Sequence, residues 1–457
     1  MYEKVNKKIF LILILGFCIR IFGMMFLSLG EWDERFHVLV AKNLINSPLY
    51  PSLINDGLVK LDFHDWSMCD IWLAKPPLSL WIISLSIKLF GVNEFAIRFP
   101  SLIFSLISIY LTFWIGRKLF SEKIGVIAAF FYAINGLLYE INIGLLSGDH
   151  VDTIFHLFVQ LLFYVLLIFS KKNWIKKSIY LGLLLGCLFM VKWSMSFIFL
   201  CILIVYLFVC RRTIQEYFIS IFIIITSFLI FSIPWVLWIF YQFPNESKWM
   251  LKAIMAPISE VVQGHKGSWF YYINEIRKYI NELIYLPLIF IIWKSYKRLN
   301  KQRLLLILWI FIPMILLSIS ATKREVYIMI TSTPMFILLG LFVVYLSSIK
   351  KEFIYPKFIT FLVALIFIAS IRYSIERIKP FNARLVMPQY RIEMKKLIYS
   401  NNLNPDSTVL VNEPHYLEAR FFYNIKGYQF LDDSTVTSIK KKGYRVFRNI
   451  LGKYEPL

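Results

Sequence analysis

The sequence predicts an all-α polytopic membrane protein of about 11 transmembrane helices (range about 10 to 13), with periplasmic juxtamembrane helices and a small C-terminal α/β domain. Three observations carry that expectation. Hydrophobic residues fill 58% of 457 positions, charged residues only 17%, and the mean hydropathy is +0.65. Apolar runs recur along the chain, separated by short loops rich in Lys and Arg. From about residue 373 the composition turns polar. A soluble domain of this size has no use for so much apolar surface.

The runs fall at about 9–29, 100–120, 124–143, 151–170, 178–191, 195–210, 217–241, 280–293, 304–320, 326–346 and 353–371. A span needs roughly 20 apolar residues, so the shorter runs borrow from their flanks or tilt. The basic loops 117–123, 171–177, 211–216, 294–303 and 350–351 then share the side of the N-terminus, which the positive-inside rule makes cytoplasmic. This register holds only if 77–90 does not span. That run carries Ser79, Ser84, Ser86 and Lys88, and suits an interfacial helix. The net charge of +22 is therefore topological, and nucleic acid is not an expected partner.

Cys18, Cys187, Cys201 and Cys210 lie in apolar runs and Cys69 in a polar loop, with no C-x-x-C spacing, so no disulfide framework is expected. The basic start (Lys4, Lys7, Lys8) leads into an apolar run without a small-residue cleavage site, which reads as an uncleaved first span. The expected division is a transmembrane domain at 1–372, with outer loops at 30–99 and 242–279, and a small soluble outer-face domain at 373–457. Within the latter, 408–411, 416–424 and 428–431 read as strand, helix and strand.

The outer side should be poor in cations, yet it carries Arg35, Lys75, Lys192, Lys266, Lys323 and Arg324. Two acidic clusters join them: Asp33-Glu34 after the first run, and Asp149-His150-Val151-Asp152 at the head of the fourth. Asp33 reads as a helix N-cap or as a general base for a hydroxyl at the membrane surface. Asp149, Asp152, Thr153 and His156 share one helical face, which must point away from lipid. Lys75, ahead of Pro76-Pro77, reads as a snorkelling lysine or as an ammonium presented from a stiff corner. Lys323-Arg324 has no topological use in a short outer turn, and an anionic phosphate ligand explains it. His265, Lys266, Trp269, Tyr271 and Tyr272 read as an interfacial aromatic belt or as part of the site. Spacing alone does not make His265 a metal ligand.

These residues, in this order, resemble the C-type polytopic glycosyltransferases that use polyprenyl-phosphate sugars, in the protein O-mannosyltransferase and aminoarabinose (lipid A) transferase group. The matching stretches are Asp33-Glu34, Lys75-Pro76-Pro77-Leu78, the run from Leu89 to Ser101, Asp149-His150-Val151-Asp152, His265 to Tyr272 and Lys323-Arg324. The resemblance implies that Asp33 and Asp149 are the catalytic carboxylates and that Lys75 contacts the donor phosphate. It also implies that a divalent metal is the one candidate cofactor, through His265. Two positions depart from the group: Ala74 stands where some aminoarabinose transferases carry glutamate, and Phe36 where they carry arginine, with Arg35 adjacent.

The expected function is an inverting glycosyltransferase that uses a polyprenyl-phosphate sugar and a hydroxyl acceptor, a lipid A-like glycolipid or protein Ser/Thr. It would work at the periplasmic face of a bacterial inner membrane. Asp33 and Asp149 are the expected catalytic residues, and Lys75, Lys323, Arg324 and Arg35 the expected phosphate ligands. Glu34, Asp152, His150, Lys266 and Tyr271 are expected to support the substrate. The rival expectations are a non-enzymatic transporter or flippase of a lipid-linked anionic sugar, and a polymerase or ligase using diphosphate-linked donors. The absence of a convincing internal repeat argues against the transporter.

Overall fold

The computed structural model describes residues 2–30, 33–146, 150–169, 173–210, 213–349, 356–378, 388–400 and 402–457. Its helices are α1 (Tyr2–Phe26), α2 (Asp33–Asn43), α3 (Pro77–Phe90), α4 (Glu94–Leu119), α5 (Glu122–Ile134), α6 (Gly136–Asn142), α7 (His150–Ile168), α8 (Trp174–Phe189), α9 (Ser196–Cys210) and α10 (Ile214–Gln242). They continue with α11 (Pro244–Ser259), α12 (Tyr271–Tyr279), α13 (Tyr285–Lys297), α14 (Lys301–Ile319), α15 (Ser332–Ile349) and α16 (Pro356–Ile378). The C-terminal segment adds α17 (Gln389–Ser400), β1 (Thr408–Val411), α18 (Tyr416–Tyr423), β2 (Lys426–Gly427), α19 (Asp433–Lys441), β3 (Arg445–Ile450) and β4 (Lys453–Pro456).

Within the described residues each apolar run of the sequence is mostly helical, and local chemistry sets several boundaries. Ser121, Thr213 and Asn300 cap α5, α10 and α14 through side-chain oxygens that accept backbone N–H bonds. Pro77 starts α3 and Gly91, at φ 82°, ends it. Among the described residues, six helices are long and apolar enough to cross a membrane: α4, α7, α10, α14, the segment 325–349 containing α15, and α16. The pair α5 and α6 makes a seventh if it is one span, bent by 55° at Asn135. Helices α3 and α9 are apolar but shorter. The expected outer loop 242–279 is not open loop: α11 and α12 occupy most of it.

The chain folds as two compact units, 1–21 with 101–379, and 22–100 with 380–457. In the first, small residues let helices approach closely. A Cβ at Gly182 would lie 2.4 Å from the Ile224 carbonyl oxygen across α8 and α10, and one at Gly125 would lie 2.3 Å from that of Phe113. Polar side chains inside the bundle pair with one another. Arg20 Nε donates to Asn142 Oδ1 (2.7 Å), and Asn142 Nδ2 donates to Thr153 Oγ1 (2.7 Å). Gln160 donates to Thr112 and Thr333, while the ring of His156 lies between Tyr132 and Thr333. His156 is thus held in a closed hydrogen-bond network.

In the second unit, residues distant in sequence share one core. Val38, Leu39, Leu80 and Ile83 of α2 and α3 pack with Val409, Leu417, Tyr428 and Val446. The sheet runs β2-β1-β3-β4, with β1 parallel to both neighbours and β3 antiparallel to β4. The strand expected at 428–431 is instead β2 at Lys426–Gly427, and β3 and β4 complete the sheet. Lys42 Nζ donates to the Arg420 and Phe421 carbonyls and to Asn424 Oδ1, at the C-terminal end of α18. Arg420 and Tyr428 both donate to Asp56. Burial alone would raise the Asp56 pKa, but the Arg420 charge and these hydrogen bonds outweigh it and hold the carboxyl below its ordinary range.

Candidate active site

Helix α1 ends at Phe26 and α2 opens at Asp33. A helix end leaves carbonyls without partners, and fully buried Arg98 supplies donors just beyond it. Its Nη1 donates to Leu27 O (2.6 Å) and its Nη2 to Ser28 O (2.8 Å). Glu34 completes the arrangement: Arg98 Nε and Nη2 lie 3.1 and 3.2 Å from its two oxygens, and Gly30 N–H donates to Oε2. This forked ion pair ties Leu27, Ser28 and Gly30 to Glu34 in the first turn of α2.

Asp33 itself differs from its neighbour. Its Oδ2 lies 3.6 Å from Lys75 Nζ, and the two side chains are 27% and 26% exposed. Lys75 stands where Pro76, at φ −65° and ψ 158°, turns the chain into α3. Arg35 Nε lies 3.7 Å from Glu418 Oε1. Burial of Glu418 works to raise its pKa, but the neighbouring His415 ring, 3.8 Å away, and the Arg35 charge prevail and hold it below the usual glutamate value. Arg35 is therefore engaged by the C-terminal segment in this structure.

The other expected residues belong to the first unit. His150 is buried, with Nδ1 3.1 Å from Ser101 Oγ. Asp152 forms an ion pair with Lys192, whose ammonium lies 5.4 Å from the Tyr327 ring centroid. Asp149 lies outside the described residues. The segments around His265 and Lys323 meet: Lys323 N–H donates to His265 O (2.9 Å), and Arg324 Nη2 donates to Gln263 Oε1 (2.5 Å). Lys323 Nζ donates to Ser320 O, and Tyr272 OH to Arg324 O. Gly267 fits because it has no Cβ; one there would lie 2.5 Å from Tyr271 Cδ2 and 3.0 Å from Lys323 Cδ. His265, Lys323 and Tyr271 are therefore neighbours, while Lys266 is exposed. Burial pushes the Tyr271 phenol up to about 12, and the Glu275 and Glu325 carboxylates add to the shift.

A divalent metal does not fit the described residues. Among them no three His, Cys, Asp or Glu side chains converge, and His265 is exposed.

Three further contacts were not among the sequence-derived candidates. Arg98 holds Leu27, Ser28 and Glu34, Arg377 pairs with Glu140, and Tyr279 OH donates to Glu325 Oε2 (2.8 Å). Glu140 lies within an apolar run, and a carboxylate there is the signal that marks it.

The family model for dolichyl-phosphate-mannose-protein mannosyltransferase matches residues 74–238. The undecaprenyl phosphate-alpha-4-amino-4-deoxy-L-arabinose arabinosyl transferase of Edwardsiella ictaluri is 25% identical over 282 residues, 59% of this chain and 49% of that protein. Its counterpart in Yersinia pestis is 25% identical over 329 residues, 67% of this chain and 57% of that protein. The matched stretch thus spans about half the length of these curated relatives.

The fold is similar to that of ArnT from Cupriavidus metallidurans in the apo state, with TM-score 0.68 and 13% identity over 98% of this chain and 93% of that one. ArnT bound to undecaprenyl phosphate gives TM-score 0.64 and 14% identity over 96% and 88% of the two chains. The oligosaccharyltransferase AglB from Archaeoglobus fulgidus, in complex with an inhibitory peptide and a dolichol-phosphate, gives TM-score 0.59 and 12% identity over 98% and 70%. By family match, curated relatives and polytopic fold together, the chain is similar to the C-type polytopic glycosyltransferases of the protein O-mannosyltransferase and aminoarabinose transferase group.

Proposed function

We propose that the chain is an inverting glycosyltransferase that moves a sugar from a polyprenyl-phosphate donor to a hydroxyl acceptor, a glycolipid or protein Ser/Thr. The reaction would occur at the outer, periplasmic side of a bacterial inner membrane. In this reading about eleven helical segments thread the bilayer, the basic loops stay cytoplasmic, and residues 373–457 lie outside. The carrying observation is the pairing of Asp33 with Lys75. The neighbouring carboxylate, Glu34, is locked by Arg98, whereas Asp33 remains partly exposed beside an ammonium on a stiff corner.

In the proposed step the acceptor hydroxyl gives its proton to the Asp33 carboxylate as its oxygen attacks the anomeric carbon. The bond from that carbon to the phosphate oxygen breaks, and polyprenyl phosphate leaves with the electron pair. A single displacement inverts the anomeric centre. The donor phosphodiester carries one negative charge and the departing phosphate tends toward two, so fixed cations lower the barrier. Lys75, Lys323, Arg324 and Arg35 are the proposed phosphate ligands. Asp149 is the proposed second carboxylate, with His150, Asp152, Lys266 and Tyr271 supporting the substrate.

The test is sugar transfer from a synthetic short-chain polyprenyl-phosphate sugar by purified protein in detergent, with no vesicle present. Transfer with inversion supports the reading. Binding without turnover on any hydroxyl acceptor points to a transporter, and a requirement for a diphosphate-linked donor points to a polymerase or ligase.

A further inference from the structure

One end of the first unit carries two neighbouring clefts that the transfer reaction does not use. One, of about 520 Å³, lies between the start of α5 and the end of α15, with Val126, Ile127, Val343 and Val344 as apolar walls. Lys8 and Lys123 stand at its rim. The other, of about 260 Å³, is walled by Phe120, Phe290, Ile291 and Leu341 and rimmed by Lys294 and Arg303. Val344 and Ser348 line both, so the clefts meet along the last turns of α15.

Among the described residues the rim charges have no protein counter-ion: none of Lys8, Lys123, Lys294 and Arg303 forms an ion pair with a carboxylate. Glu122 is the only carboxylate among the described residues lining either cleft, and it sits in the first turn of α5, where the positive helix end favours it. Lys294 rests against aromatic faces, 4.4 Å from the Tyr345 centroid and 4.7 Å from that of Trp293. Arg303 uses Nη1 on the Lys294 and Arg298 carbonyls. Apolar walls beneath a rim of unpaired cations match an amphiphile with an anionic head and acyl chains.

We infer that these joined clefts bind an anionic glycerophospholipid of the surrounding bilayer, with its phosphate at the Lys/Arg rim and its chains along α5 and α15. The site is independent of the transfer reading, and failure of either leaves the other standing.

The experiment follows the melting temperature of the full chain in detergent as phosphatidylglycerol, phosphatidylcholine or inorganic phosphate is added. The expected result is a saturable rise of several degrees with phosphatidylglycerol alone, at least halved in K294Q/R303Q. If that variant melts early without lipid, K8Q/K123Q, whose lysine side chains are exposed, replaces it. Native mass spectrometry should then show less co-purified phosphatidylglycerol on that variant than on the parent. An equal rise with phosphatidylcholine overturns the proposal, as does a rise with phosphate alone. Full retention of phosphatidylglycerol by both double variants overturns it as well.

Discussion

Asp33 and Glu34 are chemically similar and adjacent, yet their surroundings differ. Glu34 is 2% exposed and shares both oxygens with a fully buried arginine. Asp33 keeps about a quarter of its side chain in reach of solvent, beside Lys75. Removing Glu34 would strand the Arg98 charge, at a cost of about 3–5 kcal/mol for a broken buried pair. Glu34→Ala is therefore expected to melt well below the parent, whereas Asp33→Asn is expected to melt close to it. Scanning calorimetry or a thiol-dye melt checks both, and equal melting of E34A and parent contradicts the clamp. The sequence marked Asp33, Glu34 and Lys75 because charges beside apolar runs stand out. Arg98 carried no such mark, since its role depends on the carbonyls of Leu27 and Ser28, about seventy residues earlier.

At the level of elements, the apolar helices were legible from the apolar runs, whereas their caps Ser121, Thr213 and Asn300 were seen only in the structure. Which helices touch was less legible, because a glycine within an apolar run does not announce its neighbour. Gly182 faces the Ile224 carbonyl oxygen and the Ser227 Cβ, which a Cβ at this position would approach to 2.4 and 2.7 Å. Gly182→Val should cost about 1–3 kcal/mol by forcing α8 from α10. A melting temperature no lower than the parent's would show that the two helices can separate freely.

The link from Asp56 to α18 makes a different prediction. The Asp56 pKa is lower folded than unfolded, so its contribution to stability is complete above the ordinary carboxylate range. That contribution disappears as pH falls through the folded pKa. Melting temperatures of the parent between about pH 6 and pH 3 should therefore fall more steeply than those of Asp56→Asn. Parallel curves for the two proteins would remove Asp56 from the acid response.

For the whole molecule, composition and packing divide the chain differently. Composition changes near residue 373, but the segment 22–100 shares its core with 380–457. Contacts such as Lys42 with α18 and Asp56 with Arg420 join residues more than 350 positions apart. No local periodicity encodes such a pairing, so it became visible only in three dimensions. The polytopic fold, by contrast, was legible because apolar runs recur along the chain, while the short strands β2 to β4 were not.

The central claim is that Asp33 takes the acceptor proton. Its most direct test compares parent and Asp33→Asn for transfer from a synthetic polyprenyl-phosphate sugar, with donor binding followed in the same preparations. The account predicts turnover reduced by about 10²–10⁴-fold with donor binding retained. Turnover in Asp33→Asn equal to that of the parent would contradict it.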